Sequence, residues 1–161
     1  MEFSENSRVW IYQSNRELSA TELSKIESIL AAFTVEWTAH NHALKAKAEV
    51  RYNRFIILMV DERQAGASGC SIDKSVNLMK AIEQEFGINL FDRFNMAYRD
   101  GAELKSASRL EFEELIKQGK VDNDTIVFNN LVQTLADLER KWEVRYQHSW
   151  HPQVFGSLVN A

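Results

Sequence analysis

A chain of 161 residues with 45% hydrophobic and 26% charged side chains can bury a core without a metal or disulfide staple. Its composition excludes intrinsic disorder and collagen-like repeats, and no apolar run approaches the roughly 20 residues of a membrane span. A formal net charge of −4 argues against general affinity for nucleic acid or anionic membranes, and the single cysteine, Cys70, allows no internal disulfide. The opening Met1-Glu2-Phe3-Ser4-Glu5 lacks the basic and apolar regions of a signal peptide, so a cytoplasmic location is expected. Without a linker, low-complexity run or internal repeat, the expectation is one domain over 1–161 with short tails at about 1–7 and 152–161.

Val9-Trp10-Ile11-Tyr12 has the β-branched and aromatic composition of a first strand. A helix follows. Ser19 with Glu22 forms a capping box, Leu18 with Leu23 a hydrophobic staple, and Leu23, Ile26, Leu30, Phe33 and Trp37 make one apolar face. From Leu44 to Tyr52 apolar residues alternate with Lys45, Lys47, Glu49 and Arg51, as on a strand with one wet face. Phe55 to Val60 is continuously apolar and predicts a strand buried on both faces, joined to the preceding one by a turn at Asn53-Arg54.

Asp61 to Ser71 reads as a loop, and Ser71 as the N-cap of a second helix with Asp73 in its positive first turn. Gly87 is placed to end that helix in the left-handed conformation. Phe94, Met96 and Tyr98 alternate with polar or small residues, and Asp100-Gly101 predicts a type I′ hairpin into Ala102–Ser106. Ser108 and Glu111 cap a short helix ending at Gly119. Thr125–Phe128 predicts a short strand, followed by a helix from about Leu131 to Arg145. The core order of strand, helix, strand, strand, helix, strand is that of an α+β, ferredoxin-like (split βαβ) fold with an added C-terminal hairpin strand and helices. That fold hosts many activities and specifies none.

The strand ending in Asp61-Glu62 has the Walker B form, in which the Asp holds Mg²⁺ and the Glu polarises water. Val9-Trp10-Ile11-Tyr12-Gln13-Ser14, Trp37-Thr38-Ala39-His40 and Val60-Asp61-Glu62…Ser68-Gly69-Cys70-Ser71-Ile72-Asp73 together resemble a family of short bacterial proteins that go by the designation "ABC transporter ATPase". The resemblance spans most of the chain. The designation implies ATP hydrolysis coupled to transport, and the residues speak against it. A Walker A loop needs G-x-x-x-x-G-K-[ST], whose glycine N–H groups wrap the phosphates, yet the first glycine of this chain is Gly66. Around the one candidate pair, Lys74-Ser75, Ser68 and Asp73 stand where the two glycines belong.

The segment Gly66–Lys74 carries the clearest expectation of a site. Small residues at Ser68 and Gly69 would let backbone N–H groups face outward at a helix N-terminus, where an anion or a Cys70 thiolate is stabilised. Ser68, Gly69, Ser71, Asp73 and Lys74 are the candidate ligand-binding residues. Cys70 as nucleophile or redox thiol, His40 as base and Asp61 are the candidate catalytic ones, with Glu62 and Asp73 as further carboxylates. Against this stand a buried inert cysteine and an ordinary turn with its N-cap. Ser71-Ile72-Asp73-Lys74 spells the Ser-x-x-Lys of penicillin-binding enzymes without its companion motifs. The pairs His40/His42 and His148/His151 have no metal-specific spacing, and surface or capping roles explain them more simply than zinc. Trp10, Trp37 and Trp142 read as packing residues and Trp150, near the tail, as the one to mark a partner surface.

The expectation is therefore a cytoplasmic binding or interaction protein with an anion or small-ligand site at Asp61–Lys74 and no cofactor. The alternative is an enzyme using the same loop. Partners would be a protein or a small anionic ligand, not nucleic acid.

Overall fold

Every residue of strand β5, Phe55–Asp61, is buried, because both of its faces are covered. Ile56, Leu58 and Val60 point into one apolar cluster, and Phe55, Ile57 and Met59 into another. The period-two geometry of a strand thus explains the unbroken apolar run. The computed structural model that describes this arrangement covers residues 2–156.

Strands β1 (Arg8–Gln13) and β4 (Lys45–Arg51) flank β5, both antiparallel to it. Helices α1 (Ala20–Glu36) and α2 (Gly69–Phe86) cover one face of this sheet, where Ile26, Leu30, Met79 and Ile82 meet Ile56, Leu58 and Val60. The expected capping box starts α1: Glu22 N–H donates to Ser19 Oγ at 3.2 Å, and Ser19 N–H to Glu22 Oε1 at 2.9 Å. Between α1 and β4 lies a small hairpin of β2 (Thr38–Ala39) and β3 (His42–Ala43), turned by His40 and Asn41 at φ 51° and 65°. The turn from β4 to β5 falls one residue earlier than expected. Tyr52 and Asn53 take the left-handed conformation, while Arg54 is buried and donates to Ser106 Oγ at 2.9 Å.

The second sheet contains β6 (Met96–Asp100), β7 (Glu103–Ala107), β8 (Ile126–Phe128) and β9 (Glu143–Arg145), in the order β7-β6-β8-β9. Ala97 and Phe128 on its inner face pack on Phe55, Ile57 and Met59. Its outer face, with Met96, Tyr98 and Val127, meets Phe112 of α3 (Arg109–Lys117) and Phe155 of α5 (His151–Phe155). The layers run helix, sheet, sheet, helix.

The fold is α+β, as expected, but the ferredoxin-like sheet is not completed. β1, α1 and β4, with β5 between the two strands, form the split βαβ unit. The strand expected on the other side of β1 is β6, and it lies in the second sheet instead. The reason is that β7 and β8 give β6 a neighbour on each side.

Four local expectations also change. Ser68, not Ser71, caps α2: Ser71 N–H donates to Ser68 Oγ at 3.1 Å and Ser68 N–H to Ser71 Oγ at 2.7 Å. Asp73 consequently falls beyond the first turn. The long C-terminal helix is replaced by α4 (Leu135–Lys141), capped by Thr134, and then by β9. In the β6–β7 turn only Gly101 of the central pair Gly101-Ala102 has a positive φ, 63°, so the turn is not type I′. Finally, the N-terminal segment is tied down. The carbonyls of Glu5 and Ser7 accept the N–H groups of Ala136 and Leu135 at 2.9 Å, completing the start of α4. Residues 152–155 of the expected C-terminal tail are helical, and the part from 157 lies outside the described residues.

Candidate functional site

Asp61 ends β5 with a side chain only 1% exposed. Arg63 donates to it from Nε at 3.0 and 3.1 Å, from Nη2 at 2.6 Å and from its backbone N–H at 3.1 Å. The Ser4 N–H donates at 3.0 Å, and Lys45 Nζ stands 3.5 Å away. The Arg63 guanidinium and the Ser4 amide hold this carboxyl well below the usual carboxylate range. Both oxygens are engaged in clamping the N-terminal segment and β4 to the end of β5. Glu62 is occupied as well, accepting the Ala67 N–H at 2.9 Å with Arg8 Nε at 3.8 Å. A Cβ at Gly66 would meet Glu62 Oε2 at 3.2 Å, a contact that a small shift of this flexible side chain would relieve.

At the start of α2 the hydroxyls of Ser68 and Ser71 are spent on each other's backbone N–H groups. Ser71 is buried, and its carbonyl accepts the Trp37 indole N–H at 2.8 Å. A Cβ at Gly69 would meet nothing within 4 Å, so no close backbone approach requires glycine there. Cys70, Asp73 and Lys74 are exposed, and so is His40 in its hairpin turn. Among the described residues no hydrogen bond or ion pair joins any of these four side chains. The expected site residues thus share one region of chain, but Asp61 is locked away and the others do not converge on a reacting centre. The histidine pairs also divide. His148 is exposed and His151 is 1% exposed. Among the described residues no group of three or more His, Cys, Asp or Glu side chains is placed to hold a metal ion, and no helix is long and apolar enough to cross a membrane.

A concavity lies elsewhere, along the outer edge of β1, on the side where the unrealised fourth strand was expected. It is a half-open cleft of about 720 Å³. Residues 9–13 of β1, segments 90–97 and 130–133, and Trp150 with His151 line it. Its origin is visible in the hydrogen bonds. Segment 133–135 pairs with the start of β1, the Val9 N–H donating to Gln133 O at 3.0 Å and the Leu135 N–H to Ser7 O at 2.9 Å. Beyond Val9 the two segments part.

The β1–β5 register and the Ser14 N–H to Arg54 O bond put the even-numbered residues of β1 in hydrogen bonds with β5. Odd-numbered residues therefore direct their N–H and C=O outward. Ile11 is the central one, and among the described residues its N–H and C=O have no partner.

A buried and a half-buried amide fix the cleft's shape. Gln13, 6% exposed, donates from Nε2 to Asn95 O at 2.7 Å and accepts from Asn130 Nδ2 at 2.9 Å. Asn130 Oδ1 in turn accepts the Trp142 indole N–H at 2.9 Å. Trp150 stacks on His151 with centroids 3.9 Å apart, and the buried Trp150 Nε1 has no hydrogen-bond partner among the described residues. His151 Nδ1 lies 2.8 Å from Ser149 Oγ, and burial pushes its pKa down to about 4, so the ring is neutral at neutral pH. The rim carries Phe91, Phe94 and Leu131, 40%, 46% and 61% exposed.

Apart from Trp150, and His151 as one of a weighed metal pair, the sequence marked none of these cleft residues as functional. They come from four separated segments and form no local motif, although a polar Gln13 ending an apolar strand was a usable signal. No protein-family model matches this chain, and neither a curated protein nor a solved structure matches it.

Proposed function

We propose that this chain is a binding protein whose recognition site is the cleft along β1. The observation that carries the reading is one cleft that combines a shape held by the hydrogen-bonded amides of Gln13 and Asn130 with three exposed apolar side chains, Phe91, Phe94 and Leu131. Ligand sites are typically concave, largely apolar and supplied with a few placed polar groups, within a range of about 300–1,000 Å³. Exposed apolar side chains gathered at a single opening favour an interaction site over a surface left to water.

The Asp61–Lys74 segment is a weaker candidate, because Asp61, Glu62, Ser68 and Ser71 are engaged by the protein itself. An enzymatic reading through Cys70 rests on an exposed thiol alone. ATP hydrolysis, which the family designation implies, has no support in Asp61: the carboxylate that would hold Mg²⁺ is engaged by Arg63, Ser4 and Lys45.

The test is titration with anilinonaphthalene sulfonate, whose apolar rings suit the cleft and whose sulfonate suits an anion site. The expected result is saturable binding to the native protein, weakened by Leu131→Glu and unaffected by Lys74→Glu. Binding lost in Lys74→Glu and kept in Leu131→Glu would move the site to the start of α2. Absence of saturable binding would overturn the proposal.

A further inference from the structure

From the edge geometry of β1 we infer the occupant of the cleft: an extended peptide segment of a partner protein, acidic at one end, that pairs with β1 as an added strand. The inference rests on the reading of the cleft as the recognition site and adds the chemistry of what enters it.

A strand edge specifies its partner more narrowly than an apolar hollow does. Ile11 presents an N–H and a C=O to the cleft with no partner among the described residues, while Trp10 and Tyr12 on either side are paired to β5. That donor and acceptor on one residue are what a residue of an antiparallel strand would match with its own C=O and N–H. The chain itself begins this pairing, since Val9 N–H bonds Gln133 O before segment 130–133 turns away. An added strand would continue the ladder where the protein's own segment leaves it. It would also put a fourth strand on the β1-β5-β4 sheet, in the position β6 does not take.

Side chains set the preferences beyond the backbone. Alternate residues of the added strand would point toward the rim formed by Phe91, Phe94 and Leu131, which favours apolar groups there. The two charged side chains lining the cleft are Arg93 and Asp92, whose carboxylate keeps its charge while Oδ1 accepts the Phe94 N–H at 2.9 Å. Arg93 makes no ion pair among the described residues, so its cation is free to meet an acidic residue or a terminal carboxylate.

The experiment uses capped peptides of about eight residues, long enough at about 3.3 Å per residue to cover the free edge of β1 beyond Val9, alternating Val or Phe with Thr. They are made in glutamate-ended and lysine-ended forms, and in versions N-methylated at either set of alternate amides. Binding is read by fluorescence anisotropy and by amide hydrogen exchange of the full chain.

The expected result is binding of the glutamate-ended peptide in preference to the lysine-ended one. One N-methylation set should weaken it about tenfold, by removing the donor to Ile11 C=O, and the other set should not. The Ile11 amide, fast to exchange in the free protein, should become protected, with Trp10 and Tyr12 unchanged. Equal effects of both N-methylation sets, or no protection of Ile11, would overturn the inference.

Absence of peptide binding while anilinonaphthalene sulfonate still fills the cleft would overturn the peptide alone, and absence of both would remove the cleft reading as well. A concentration-dependent dimer with Ile11 protected in the absence of peptide would assign the edge to a second copy of the chain and likewise overturn it.

Discussion

The indole N–H of Trp37 donates to the carbonyl of Ser71 at 2.8 Å, joining the C-cap of α1 to the first turn of α2. Trp37 is 2% exposed and packs against Phe33 and Trp10, with ring centroids 4.9 and 6.0 Å away. One side chain thus fixes both helices of the first layer and the neighbouring strand. Its bond also holds the helix start that bears Cys70 at a set height over the sheet.

Trp37→Phe keeps an aromatic ring but removes this donor and part of the packing volume. The expected cost is about 1–3 kcal/mol, the sum of one buried hydrogen bond and a small cavity. Urea unfolding should show a lower midpoint at an unchanged slope. A midpoint equal to that of the unaltered protein would mean the two helices are held together without this bond.

Asp61 should make the protein sensitive to acid. Its carboxyl lies well below the usual carboxylate range in the folded chain, because Arg63 and the Ser4 amide stabilise the anion. The unfolded chain therefore takes up the proton first as pH falls. The stabilisation is complete above the ordinary carboxylate pKa of about 4 and is lost progressively below it. Asp61→Asn should lower the thermal midpoint at neutral pH and flatten its decline from about pH 5 to about pH 3. Some slope will remain in the variant. Glu22, pushed down to about 2 by Arg16 and by the Ser19 amide, contributes in the same sense.

The two halves of the fold were unequally legible in the sequence. The α1 capping box, the buried β5 run and the left-handed Gly87 were readable because each is decided by residues close in the chain. The partner of β6 was not, since Met96 and Tyr98 alternate equally well on either sheet and the choice is made by β7 and β8. The stripe Leu131, Leu135, Leu138, Trp142 mimics a helix face, yet the segment divides at the Thr134 cap and again at β9. At the Asp61–Lys74 segment the sequence showed which residue types were present but not that Arg63, two positions on, would consume Asp61. The cleft was hidden for the same reason as the second sheet: only long-range contacts make it.

Cys70 offers a direct check on the rival enzymatic reading. It is exposed at the second position of α2 and has no hydrogen-bond partner among the described residues. Cys70→Ser is expected to change unfolding stability by less than about 0.5 kcal/mol, as for a surface residue outside any network. Iodoacetamide should label the folded protein at the rate of an ordinary accessible thiol in a short peptide. Labelling many times faster than that peptide would reveal an activated thiolate and favour catalysis at this helix start.

His151 provides a second and separable pH dependence. Its ring touches Trp150, Phe112, Tyr146 and Phe155, all uncharged, and burial pushes its pKa down to about 4. In the unfolded chain the group titrates near the ordinary histidine value of about 6.5, so the unfolded state again binds the proton first. Stability is then complete above about pH 6.5 and declines as pH falls toward about 4, by at most about 3 kcal/mol for a shift of this size. The decline begins above the range in which carboxylates respond, which separates it from the effect of Asp61. His151→Phe retains a ring to stack on Trp150 while removing the titration. Between about pH 6.5 and about pH 5 its thermal midpoint should therefore stay level where that of the unaltered protein falls. Parallel curves for the two proteins across that interval would show that the buried imidazole does not govern the response.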